Sequence, residues 1–110
     1  MNLRPHPFSM IADRTKTIEL RLLDEKRALI EVGDTLVFKN TDDPSKTLAC
    51  VVKQLHKFAN FEQLYRALPL EKCGYLPEEL AEARAEDMEE YYSIEKQRLW
   101  GVVGIELELK

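Results

Sequence analysis

Thr17-Ile18-Glu19-Leu20-Arg21-Leu22 puts three aliphatic side chains, Ile18, Leu20 and Leu22, on one face of an extended segment and Thr17, Glu19 and Arg21 on the other. A period of two predicts a strand with one covered face. The same period returns from Trp100 to Leu109, where Val103, Ile105, Leu107 and Leu109 alternate with Val102, Gly104, Glu106 and Glu108. Two more strands fall between these ends. Thr35 to Lys39 follows the Gly33-Asp34 turn and the irregular stretch 24–31, and Thr47 to His56 is rich in β-branched residues and apolar on both faces. The turn-forming residues Asn40 to Lys46 join them. Burial on two sides predicts a covered or barrel-like sheet.

Helical signals lie between the strands. Phe61 to Ala67 is one. Pro77 to about Glu90 is another, opening on a proline and two glutamates, with Ala81, Ala85, Met88 and Tyr92 forming a modest apolar stripe. Ser93 is placed to cap a short turn over Ile94 to Arg98. The expectation is one α+β domain over residues 1–110, mainly β, with about five to six strands and three or four helices.

With 16 basic and 20 acidic residues the net charge is −4, which argues against indiscriminate wrapping of a polyanion. Residues 78–90 hold seven acidic side chains and Arg84, a local net of −6, so the rest of the chain sums to +2. A run of this kind on a helix is usually a solvated face; an adaptor role for it is the third-ranked reading. Cys50 and Cys73 make no disulfide framework, and with His6 and His56 they show none of the paired short spacings of a zinc site. The four glycines, at 33, 74, 101 and 104, allow no phosphate loop or dinucleotide fingerprint. No metal, cofactor or nucleotide cofactor is expected. Without a signal peptide or a membrane-length apolar run at its N-terminus or elsewhere, the chain is expected in the cytoplasm, as a monomer or weak dimer.

Lys16, Glu19 and Arg21 form the strongest cluster. Residues two apart on a strand share a face at about 6.6 Å, and Lys16 at the strand's start can bend onto it. A guanidinium fork, a movable ammonium and a carboxylate can together read a phosphate and a base amino group. The same spacing is also an ordinary surface ion-pair pattern, and on spacing alone that is the commoner meaning. Tyr91, Tyr92, Ser93 and Trp100 form a second group, aromatic faces for stacking beside hydroxyls for hydrogen bonds. For Tyr92, on the helix stripe, and Trp100, entering a strand, a core role is at least as common.

Arg14-Thr-Lys-Thr-Ile-Glu-Leu-Arg21 resembles, apart from its first position, the Gly-x-Lys-x-x-Glu-x-Arg signature of the ASCH domain family, whose fold is related to the PUA domains of RNA-modifying proteins. Val32-Gly33-Asp34 with its strand through Phe38, and Tyr91-Tyr92-Ser93 followed by Gly101-Val-Val-Gly-Ile105, resemble the family's later landmarks. The resemblance implies a small PUA-like mixed barrel with surrounding helices and a cleft receiving Lys16, Glu19 and Arg21. It also implies RNA or a modified nucleoside as partner. Arg14 replaces the pattern's glycine, so the turn into the strand is expected to differ in geometry. Members resembling acetylcytidine amidohydrolases carry a threonine, their proposed nucleophile, where this chain has Glu19.

The leading expectation is therefore an RNA-binding module that recognises a single-stranded or modified nucleotide, with Lys16, Glu19, Arg21, Tyr91, Ser93 and Trp100 as ligand-binding residues. The alternative is a metal-independent hydrolase acting on a modified nucleoside or an RNA phosphodiester, with Lys16, Glu19 and Ser93 as candidate catalytic groups and Tyr91 as another hydroxyl donor. Alanine at both Lys16 and Glu19 is expected to remove binding while leaving the melting transition nearly unchanged.

Overall fold

Five strands form one sheet in the order β1-β3-β4-β5-β2 in a computed structural model that describes residues 1–110. They are β1 (Asn2–Leu3), β2 (Ile18–Leu22), β3 (Thr35–Asn40), β4 (Thr47–Phe58) and β5 (Val102–Leu109). Only β1 with β3 is parallel; the other neighbours run antiparallel. The twelve-residue β4 serves two partners, β3 through Thr47–Val51 and β5 through Cys50–Phe58, with a register shift between Val52 and Gln54. Such an irregularity bends and twists a strand, which suits a sheet that curls into a half-barrel. The outer strands β1 and β2 are bridged by the Arg21 guanidinium, whose Nη2 donates to the Asn2 carbonyl at 2.9 Å. This is the α+β, mainly β, PUA-like architecture.

Three α-helices accompany the sheet: α1 (Pro5–Ala12), α2 (Phe61–Ala67) and α3 (Ile94–Trp100). On one face, Phe8 and Ile11 of α1 pack with Phe38, Val52, Val103 and Ile105. On the other, Phe61 and Leu64 of α2 pack with Ile18, Leu20, Leu22 and Val102. Both faces of β5 are therefore buried. Neither β1 nor α1 stands among the predicted elements, although Pro5 at the first helical turn and the Phe8 and Ile11 pair, three apart, are ordinary helix signals.

Two expectations need correction. The helix over 77–90 is instead a pair of 3-10 segments, Pro77–Glu82 and Ala85–Glu90. Glu78, Glu82, Glu86 and Glu90 would stack four apart along one α-helical face, and like charges at that spacing oppose the helix. Each short turn is fastened by its own carboxylate, Glu79 accepting from the Leu76 amide at 2.8 Å and Asp87 from the Arg84 amide at 3.2 Å. Of the expected stripe, Ala85, Met88 and Tyr92 pack against the α2 side of the core, while Ala81 is exposed. The last strand begins at Val102 rather than Trp100, because α3 continues through Trp100 and Gly101 then turns the chain at φ +75°.

Candidate functional site

β2 sets the floor of the site. Glu19 pairs across the sheet with Ile105 and Arg21 with Val103, so both charged side chains lie on the face that α1 covers. The face that alternation assigns to solvent is an interior one, and Glu19 is only 4% exposed. This is no surface ion pair. Lys16 Nζ meets Glu19 Oε1 at 2.8 Å, and Arg21 brings Nη2 to 2.7 Å and Nε to 2.8 Å from Glu19 Oε2. Each carboxylate oxygen thus holds one cation. Burial pushes the Glu19 carboxyl up, but the charges of Lys16 and Arg21 and their hydrogen bonds outweigh it, leaving its pKa below the usual carboxylate value.

The backbone before β2 aims Lys16 at this carboxylate. Arg14 adopts φ +67°, the left-handed conformation that glycine takes freely. The turn therefore keeps a glycine-like geometry despite the replacement, contrary to the expected difference. Asp13 steadies it by accepting from the Thr15 amide at 3.0 Å and the Thr15 hydroxyl at 2.6 Å. Along the lysine stem runs Gly74 at φ +110°, where an added Cβ would sit 3.3 Å from Lys16 Cδ. The Thr17 amide donates to the Lys72 carbonyl at 2.9 Å, pinning this segment to the start of the strand.

Above the triad opens a cavity of about 450 Å³, within the size range of small-ligand sites. Lys16, Glu19 and Arg21 line it together with Arg4, Tyr65, Tyr75, Asp87 and Tyr91. The Arg4 guanidinium lies 5.2 Å from the centre of the Tyr91 ring, which is half exposed. Tyr92 lines the cavity too but stacks on Phe61 at 6.0 Å, so its ring is committed to packing. The Tyr65 and Tyr75 hydroxyls are 2.7 Å apart, and Tyr75 donates to Asp87 at 2.7 Å. Burial pushes the Tyr65 phenol up to about 12 and the Tyr75 phenol higher still. The Cys73 thiol, also lining the cavity, is pushed up to about 11 by burial.

Lys16, Glu19, Arg21 and Tyr91 are thus brought together, whereas Ser93 and Trp100 line no part of this cavity. Ser93 caps α3, its hydroxyl accepting from the Lys96 amide at 3.2 Å, and Trp100 ends the same helix about one-third exposed. Sequence reasoning missed Arg4, Tyr65, Tyr75 and Asp87. Tyr65 on α2 follows the buried Phe61 at the i, i+4 spacing of one helical face, but nothing local announces that Tyr75 and Asp87 will meet it. No group of three His, Cys, Asp or Glu side chains is arranged to hold a metal ion. No helix is long and apolar enough to cross a membrane.

Among solved structures, the chain is similar to the crystal structure of the hypothetical protein PH0355, with 27% identity, a TM-score of 0.79, and coverage of 100% of this chain and 96% of that one. It is also similar to the solution NMR structure of protein PF0455 from Pyrococcus furiosus, at 31% identity and a TM-score of 0.68, covering 99% of this chain and 94% of that one. No curated protein matches. The family model for the ASCH domain matches residues 1–110, and with that full-length match the chain belongs to the ASCH domain family.

Proposed function

We propose that this protein binds RNA by taking one unpaired or modified base into the cavity above Lys16, Glu19 and Arg21. The observation that carries this reading is the buried triad at the cavity floor, where two cations share one carboxylate and leave an excess positive charge. Lys16 and Arg21 supply donors for phosphate or base acceptors, and the exposed Tyr91 face offers a stacking surface beside Arg4. Glu79, Asp87 and Glu90 also line the cavity and add negative charge at its wall. Such a wall suits a single nucleotide better than a long phosphate track. Affinity should therefore fall only gently with salt, as for one or two phosphate contacts.

A hydrolytic function would need a nucleophile, and no serine or threonine lines the cavity. The Cys73 thiol lines it, but burial keeps that thiol protonated, so tyrosine hydroxyls or water would have to serve. The test is titration of the full chain with short single-stranded RNAs and a panel of modified nucleosides, scored for both retention and chemical conversion. Tyr91→Ala, at an exposed ring, should weaken binding about ten-fold or more without changing the melting temperature appreciably. Unchanged affinity in Tyr91→Ala and in Lys16→Met, both folded, would remove this cavity from the reading.

A further inference from the structure

We infer that Tyr65 determines which base the cavity accepts: its hydroxyl oxygen is held as a hydrogen-bond acceptor and selects a base edge carrying an exocyclic amino group. The inference rests on the base-binding reading above and gives that reading a direction. A carboxylate can only accept, and a phenol carries a single proton. Tyr75 commits its proton to Asp87 Oδ2, which also receives the Arg84 amide. The 2.7 Å contact between the two phenols must then run from Tyr65 to Tyr75. Tyr65 spends its only proton there. Its oxygen is left with lone pairs and nothing to donate. Burial, the largest influence on this phenol, raises its pKa to about 12, so the directed chain persists through neutral pH.

The triad supplies the opposite polarity. An ammonium has three protons and a guanidinium five, so Lys16 and Arg21 retain donors beyond those given to Glu19 and to the Asn2 carbonyl. Tyr65, Lys16 and Arg21 all line the same cavity. A ligand that satisfies both poles presents an acceptor next to an amino donor, as cytosine does with its ring nitrogen or carbonyl and its amino group. Uracil presents a carbonyl where cytosine has the amino group. Against the Tyr65 oxygen, that would set lone pair facing lone pair.

The experiment is calorimetric titration of the full chain with cytidine and with uridine. Cytidine should bind about ten-fold more tightly, the difference of roughly one hydrogen bond. Tyr65→Phe keeps the ring that packs edge-on against Phe61 and Tyr75, and should bring the two affinities within about two-fold of each other. Asp87→Ala gives an independent readout, because Tyr75 then has no carboxylate to take its proton. The chain can then run the other way and turn the Tyr65 proton toward the ligand. The cytidine preference should disappear or reverse. Equal affinity for the two nucleosides in the unmodified protein would overturn the inference and leave base binding standing. So would a ten-fold preference that survives in Tyr65→Phe, since the acceptor would then lie elsewhere. Failure of the unmodified protein to bind either nucleoside or any short RNA would refute the base-binding reading, and this inference with it.

Discussion

Glu19→Gln tests the physics of the floor most directly. The substitution keeps the shape of the side chain and removes the one negative charge shared by Lys16 and Arg21, whose side chains are only 10% and 14% exposed. Two cations then face each other roughly 6 Å apart, and at an effective dielectric of about 20 their repulsion is of the order of 3 kcal/mol. Stranding a buried partner in this way typically costs about 3–5 kcal/mol. For 110 residues the unfolding entropy is about 0.23 kcal/mol per degree, so the melting temperature should drop by roughly 13–22 °C. Differential scanning calorimetry at neutral pH reads this shift.

The pH dependence supplies the sign. The folded Glu19 carboxyl titrates below its ordinary value, so its contribution is complete above about pH 4.3, the unfolded value, and is lost as pH falls through the folded pKa. The gap between the parent and Glu19→Gln should therefore shrink as acid is added. Lys16→Met combined with Glu19→Gln removes the repulsion and should recover part of the lost stability, a non-additivity expected of residues in one network. A single-variant shift under about 3 °C, or a gap that widens in acid, would refute the account of a buried two-cation clamp. The expectation that alanine at both Lys16 and Glu19 leaves melting nearly unchanged belongs to an exposed pair, and the burial of these side chains argues against it.

Arg14→Gly should raise stability by up to about 1 kcal/mol in chemical denaturation, because relief of the left-handed strain exceeds the added freedom of the unfolded chain; a loss would show that the side chain is worth more than the strain. Gly74→Ala should cost about 1–3 kcal/mol, since alanine at φ +110° is strained and its Cβ crowds the Lys16 stem, and nucleoside affinity should fall with it. Tyr75→Phe should speed tryptic cleavage after Arg84, by cutting the hydrogen bond that ties Asp87 to the rest of the fold; unchanged cleavage would mean that the packing of Met88 and Tyr92 alone holds the segment. Acetylcytidine should be bound without release of acetate, as followed by chromatography, because Glu19, clamped by two cations, has no hydroxyl to attack with, and no serine or threonine lines the cavity.

Strands β2 to β5 were legible because each alternates or is apolar on both faces, and that pattern survives whatever packs against it. The floor of the site was legible only in part. Alternation places Glu19 and Arg21 together on one face of β2, as the structure does, but the period of two cannot say what covers that face. The cover is α1 with the short β1, the elements that no predicted pattern marks, and Arg21 itself bridges to β1 through the Asn2 carbonyl. Burial of the triad thus depends on contacts between residues nineteen positions apart. The acidic stretch shows the converse case. Its proline and early glutamates read as a helix start, and the competing signal, four glutamates at intervals of four, is equally local and reads against a continuous helix. That repulsion favours short turns over one long helix. Yet only the fold brings Asp87 from those turns to Tyr75, and Tyr75 to Tyr65 on α2, so the tyrosine pair with its carboxylate at the cavity is a product of tertiary structure alone.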